Sequence, residues 1–127
     1  MKHNQAIKAA LQVMQDHIAA LNQRDEAKIA ATLHFPYFRL SNVTLMTWET
    51  QETYFADFKK RAGSSWAKSG FDDIQILGTT DTKVHLDVRV SRHDWDQNLL
   101  TQFRLAWVIT KENDRWAAKF RSSFADQ

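Results

Sequence analysis

The hydrophobic period of this chain changes near its middle, and no helical segment returns after the change. From about residue 4 to 22, Ile7, Leu11, Met14, Ile18 and Leu21 stand 4, 3, 4 and 3 apart, which places them on one stripe of a helix. Beyond Gly70 the spacing falls to two. Phe71, Ile74 and Ile76, then Val84, Leu86, Val88 and Val90, alternate with polar residues that include His85, Asp87, Arg89 and Ser91. Two further strands, Leu99 to Lys111 and Arg115 to Phe124, are joined by the short connection Glu112-Asn113-Asp114. A parallel doubly wound sheet would need helices between those late strands. The order is therefore α+β, with helices segregated to one side of an antiparallel sheet.

Between these regions the punctuation is local. Asn22-Gln23-Arg24 breaks the first stripe, and Asp25 is placed to cap a second helix running through Leu33. Pro36 ends helical options and pushes Phe35 toward extended geometry, which predicts a strand near Tyr37 to Leu40 and leaves the isomer of the Phe35-Pro36 bond open. Ser41-Asn42 reads as a turn into a second strand, Val43 to Trp48. Thr50 reads as the cap of a third helix carrying Tyr54, Phe55, Phe58 and Ala62, stopped by Gly63.

Composition narrows the function classes. At 127 residues, 43% hydrophobic and 25% charged, the sequence fits one globular domain over 1-127. It contains no cysteine, so disulfide scaffolds, Cys nucleophiles and redox motifs are excluded. The formal net charge is +2, and the densest basic run, Lys59-Lys60-Arg61, lies on a helix without a glycine-rich or aromatic RNA motif; it reads as a solvated face, and no nucleic-acid partner is expected. No stretch reaches the roughly 18 apolar residues of a membrane helix, and no signal-peptide run opens the chain. A cytoplasmic location is the expectation, and the glycosylation pattern Asn42-Val43-Thr44 is read as chance.

The element order, together with Leu33-His34-Phe35-Pro36-Tyr37-Phe38-Arg39-Leu40, Val84-His85-Leu86-Asp87-Val88 and Arg115-Trp116 through Ala125, resembles a SnoaL-like member of the nuclear transport factor 2-like superfamily, in its uncharacterised bacterial branch. The resemblance covers almost the whole chain. It implies a bent antiparallel (mixed) sheet wrapped around about three N-terminal helices into a cone with an internal pocket, and frequent dimerisation through the outer sheet face. The residues support a covered outer face independently. Phe103, Leu105, Trp107 and Ile109 form one apolar row, yet Ala106 and Val108 on the alternate face are apolar too. A two-fold partner is the commonest cover for such a face.

The superfamily's better-known catalytic constellations do not transfer. The steroid isomerase type pairs a first-helix tyrosine with two aspartates, and no tyrosine lies between Met1 and Leu33. The epoxide hydrolase type sets Arg and Asp two apart, whereas Asp87-Val88-Arg89 reverses that order. A dehydratase of the scytalone type would draw on His34, His85 and Tyr37 by analogy.

Position by position, two roles stay open for most candidates. His34 is a candidate general base at the cone mouth with Tyr37, or else a tie for the turn before Pro36. Arg39, Trp48, His85, Arg121 and Ser123 are candidate substrate contacts. Arg121 would clamp a carboxylate, or else pair with Asp87 across the sheet. His85 and Asp87 share a face opposite the Val84-Leu86-Val88-Val90 row, which favours an outer-face position. Trp48, Trp66, Trp107 and Trp116 serve as core or as pocket walls, and His93-Asp94-Trp95-Asp96 reads as a solvated turn rather than a metal site. With no P-loop, dinucleotide fingerprint or nucleophile elbow, no cofactor is expected. The resulting expectation is a homodimeric protein binding a small molecule, catalysing cofactor-free isomerisation, dehydration or hydrolysis, or acting as a non-catalytic binding or dimerisation module.

Overall fold

A computed structural model describes residues 3–62 and 66–124, with the backbone alone described at 59–62. Three helices, α1 (Asn4–Gln23), α2 (Glu26–Ala31) and α3 (Gln51–Ala62), accompany six strands, β1 (Leu33–Ser41), β2 (Thr44–Trp48), β3 (Lys68–Thr79), β4 (Lys83–His93), β5 (Leu99–Glu112) and β6 (Arg115–Ser123). The strands form one sheet in the order β2-β1-β6-β5-β4-β3. Its pairs are antiparallel except β1 with β6, which run parallel. This is the expected α+β architecture, with a mixed sheet.

The buried face of α1 differs from the predicted stripe by one position. Ala6, Ala10, Val13, His17 and Ala20 point inward with Met14, whereas Ile7, Leu11, Ile18 and Leu21 flank them half-buried. Three alanines in that row let the helix backbone approach the sheet closely, and the larger aliphatic side chains pack at the sides. The helix ends on Arg24 in the left-handed region, with φ 56°. Its guanidinium offsets the strain by donating to the carbonyls of Asn22, Trp66 and Ala67 and by stacking 4.3 Å from the Trp66 ring centroid.

Asp25 caps α2 by accepting from the Lys28 amide at 3.1 Å. The helix stops at Ala31 rather than Leu33, and β1 begins four residues before the expected Tyr37, because Leu33 already pairs with Ala118 of β6. The Phe35-Pro36 peptide is cis. Thr50 caps α3 as expected, its hydroxyl accepting from the Thr53 amide at 3.3 Å. The Gly63 stop and the side chains of Lys59, Lys60 and Arg61 lie outside the described residues.

Two layers of core result. Inward residues of β4 to β6, including Leu86, Val88, Leu105, Trp107 and Ile109, pack against α1, each fully buried side chain contributing roughly 1.5–3 kcal/mol. Under α3 an aromatic cluster forms. Tyr54 meets Trp48 at 5.2 Å, Tyr37 at 5.7 Å and Phe55 at 5.1 Å between ring centroids, all edge-on. On the opposite sheet face Ala106 and Val108 stay half-buried, and Asp87 pairs with Arg104 of the neighbouring strand.

Candidate functional site

Inward alternation brings one row of side chains together across the strands. Leu86 is the register partner of Trp107, Trp107 of Arg121, and Arg121 of Arg39. Beneath the C-terminal half of α1 this row and its neighbours bound a cavity with about 30 Å³ of space for the centres of water-sized spheres. That exceeds the roughly 10–15 Å³ one water requires. His17, Ile18 and Leu21 roof it; the walls are Arg39 of β1, Ser69 and Phe71 of β3, Val90 and Arg92 of β4, Phe103, Leu105 and Trp107 of β5, and Arg121 and Ser123 of β6.

Its electrostatics are one-sided. Three arginines and one histidine line the cavity, and no Asp or Glu is among its described lining residues. Arg121 makes no hydrogen bond or ion pair among the described residues; its Nε is buried without a partner, and its Cζ lies 5.5 Å from the Trp107 ring centroid. Trp107 Nε1 is likewise buried with no partner. Each orphaned donor costs roughly 1–3 kcal/mol, which a folded chain carries more readily at a ligand site than elsewhere.

His17 is buried at 3% exposure, edge-on to Trp107 with ring centroids 5.0 Å apart. Burial, and then the Arg121 charge, lower its pKa from 6.5 to about 3, so the ring is neutral at physiological pH. Its tautomer is fixed by a short relay. The single hydroxyl proton of Thr32 is donated to the Ile29 carbonyl at 2.7 Å, so Thr32 Oγ1 accepts from His17 Nδ1 at 2.8 Å. Nε2 is left as a lone-pair acceptor.

Among the residues singled out from sequence, Arg39, Arg121 and Ser123 line this cavity. Four do not. His34, buried at the α2–β1 joint, donates from Nε2 to the Thr110 carbonyl at 2.9 Å and accepts at Nδ1 from Arg115 Nη2 at 3.2 Å. Arg115 also donates to the carbonyls of Ala31 and Leu33. Both imidazole nitrogens are thus engaged in holding the joint to β5 and β6, and no free lone pair remains for the general-base role. Replacing His34 by Ala should cost about 2–3 kcal/mol in urea denaturation, two hydrogen bonds and a buried ring being lost.

Tyr37 and Trp48 belong to the aromatic cluster under α3, stacked on each other with centroids 5.9 Å apart, and Trp48 Nε1 donates to Asp57 at 2.8 Å. His85 projects from the outer face, as alternation against Val84 and Leu86 dictates, and does not line the cavity. The partner of Asp87 is Arg104 and not Arg121, because Arg121 faces inward. At the His93–Asp96 loop, Asp94 accepts from the amides of Asp96 and Asn98 and from the Asn98 side chain; these bonds, led by the Asn98 amide, lower its pKa. No group of three or more metal-ligating side chains occurs among the described residues.

The residue missed in the sequence is His17. The signal was present, because Ala6, Ala10, Val13, His17 and Ala20 repeat the same 4-3-4-3 spacing as the aliphatic stripe one position on. Small residues gave that row little hydrophobic weight.

No protein-family model and no curated protein matches the chain. Solved structures do. An NTF2-like protein of unknown function from Shewanella oneidensis superposes with a TM-score of 0.76 at 14% identity, covering 93% of this chain and 98% of that one. A cystatin-like fold protein of unknown function from Nostoc punctiforme gives 0.74 at 12% identity, covering 91% and 86%. A candidate ketosteroid isomerase from Shewanella frigidimarina gives 0.71 at 16% identity, covering 91% and 94%. Among the described residues no helix is long and apolar enough to cross a membrane. Helices and sheet together are those of the NTF2-like, cystatin-like α+β fold, which this chain adopts over nearly its whole length.

Proposed function

We propose that this protein binds a small, partly apolar carboxylate in the cavity beneath α1, with Arg121 as the anion partner. The observation carrying this reading is an inward-facing guanidinium without a hydrogen bond or ion pair among the described residues, in a cavity whose described lining has no acidic side chain. A guanidinium fork matches a carboxylate, and such charge-assisted bonds are about twice as strong as neutral ones. Phe71, Val90, Phe103 and Leu105 would take the ligand's apolar end. Binding is favoured over proton-transfer catalysis, because the histidine on this wall, with a pKa near 3, is a poor general base.

A second copy of the chain covering the outer sheet face completes the reading. It is supported by half-buried, apolar Ala106 and Val108, and sedimentation at micromolar concentration reads it directly as dimer or monomer. The anion requirement is tested by calorimetric titration with propionate and with its uncharged isostere, propionamide. Saturable binding of propionate, at least tenfold tighter than the amide, is expected from the charge-assisted bond. Equal affinities, or no binding of either, would contradict the assignment.

A further inference from the structure

Resting on that reading, we infer that the ligand is a small hydroxycarboxylate, its carboxylate taken by Arg121 and its hydroxyl donated to Nε2 of His17. A cavity lined only by hydrogen-bond donors would suit any anion of the right size. This one is not so lined. The Thr32 hydroxyl spends its proton on the Ile29 carbonyl, which obliges His17 to donate from Nδ1 and leaves Nε2 as an acceptor on the cavity roof. The opposite tautomer would set the oxygen of Thr32 against that of Ile29, lone pair to lone pair, at 2.7 Å.

His17 and Arg121 flank the same indole, that of Trp107, on its edge and over its ring respectively. Imidazole and guanidinium thus share the Trp107 indole as a common wall of the cavity. Among the described residues Nε2 of His17 has no hydrogen-bond partner, and the ring is 3% exposed. A plain carboxylate would leave this acceptor unmatched or turn one of its own lone pairs toward it. A hydroxyl beside the carboxylate group supplies the missing proton. The space, about 30 Å³ for the centres of water-sized spheres, suits ligands of a few heavy atoms such as glycolate or lactate.

The experiment compares glycolate with propionate, which have equal numbers of heavy atoms and the same charge, on the unmodified protein. Glycolate is expected to bind about tenfold more tightly, the worth of one hydrogen bond to an otherwise unmatched acceptor. In the Thr32→Val variant, Nδ1 loses its acceptor, the ring is free to change tautomer, and the ratio should fall toward one. The ¹⁵N signal of His17 Nε2 should keep its unprotonated signature in the free protein and move on glycolate binding. Propionate binding as tightly as glycolate would overturn this inference and leave the carboxylate reading standing. Failure of both to bind would overturn the two together.

Discussion

Acidification is expected to unfold this protein by way of a neutral histidine, and His17→Phe is expected to remove most of that sensitivity. The pKa of His17 is about 3 when folded against an ordinary 6.5. Between those values the unfolded chain binds a proton that the folded chain refuses, so stability rises with pH across that window and is unaffected by His17 above it. As pH falls below 6.5 the folded state should lose about 1.4 kcal/mol per unit, reaching roughly 4–5 kcal/mol by pH 3. Carboxylates titrating at the acid end add to the loss in both proteins, so the quantity to compare is the difference in slope between pH 6 and 4.5. Phenylalanine keeps the ring and its edge contact with Trp107 but cannot take a proton. Urea midpoints at three pH values give the answer, and equal slopes would show that His17 is not buried as a neutral ring.

The second large effect is a trade between stability and binding at Arg121. Methionine fills similar volume without a charge or an orphaned Nε, so Arg121→Met should raise folding stability by about 1 kcal/mol, the relieved desolvation exceeding the lost contact with Trp107. The same variant should lose carboxylate affinity by about 10- to 100-fold, the worth of a charge-assisted bond. Arg121 also depresses the pKa of His17, so its removal should shift that titration upward. Thermal unfolding, calorimetry with propionate and the pH slope read the three consequences separately. A variant that is less stable and binds propionate normally would assign Arg121 to the structure and not to a ligand.

The long-range organisation was legible because period is a property of many residues at once. The alternating runs at Val84 to Val90 and Phe103 to Ile109 lie in β4 and β5 and point inward as read. The aliphatic stripe of α1 misled by one position, since closeness of approach, set by Ala6, Ala10 and Ala20, decides which face of a helix meets a sheet, and alanine carries little signal. The end of α2 and the start of β1 were misplaced because Leu33 answers to Ala118, a partner 85 positions away that no local pattern announces. Candidate site residues divided in the same way. Arg121 and Ser123 share a face by alternation, which the sequence carries, but that this face is the inward one follows from the pairing of Arg121 with Trp107, and the engagement of both nitrogens of His34 depends on Thr110 and Arg115, brought up by the sheet.

An α1 row of small residues sets the helix close to the sheet, the sheet turns Arg39, Trp107 and Arg121 toward it in one register line, and His17 closes the roof in a single tautomer. A guanidinium held this way is pre-positioned, which lowers the ordering cost of binding.

The most direct measurement follows the Arg121 Nε–H and Trp107 indole resonances of ¹⁵N-labelled protein during a glycolate titration. Both should shift saturably with one dissociation constant, and the exposed indole of Trp95 should stay in place. Shifts at Trp95 or at outer-face residues such as His85, with Arg121 and Trp107 unmoved, would place the anion elsewhere and contradict the site.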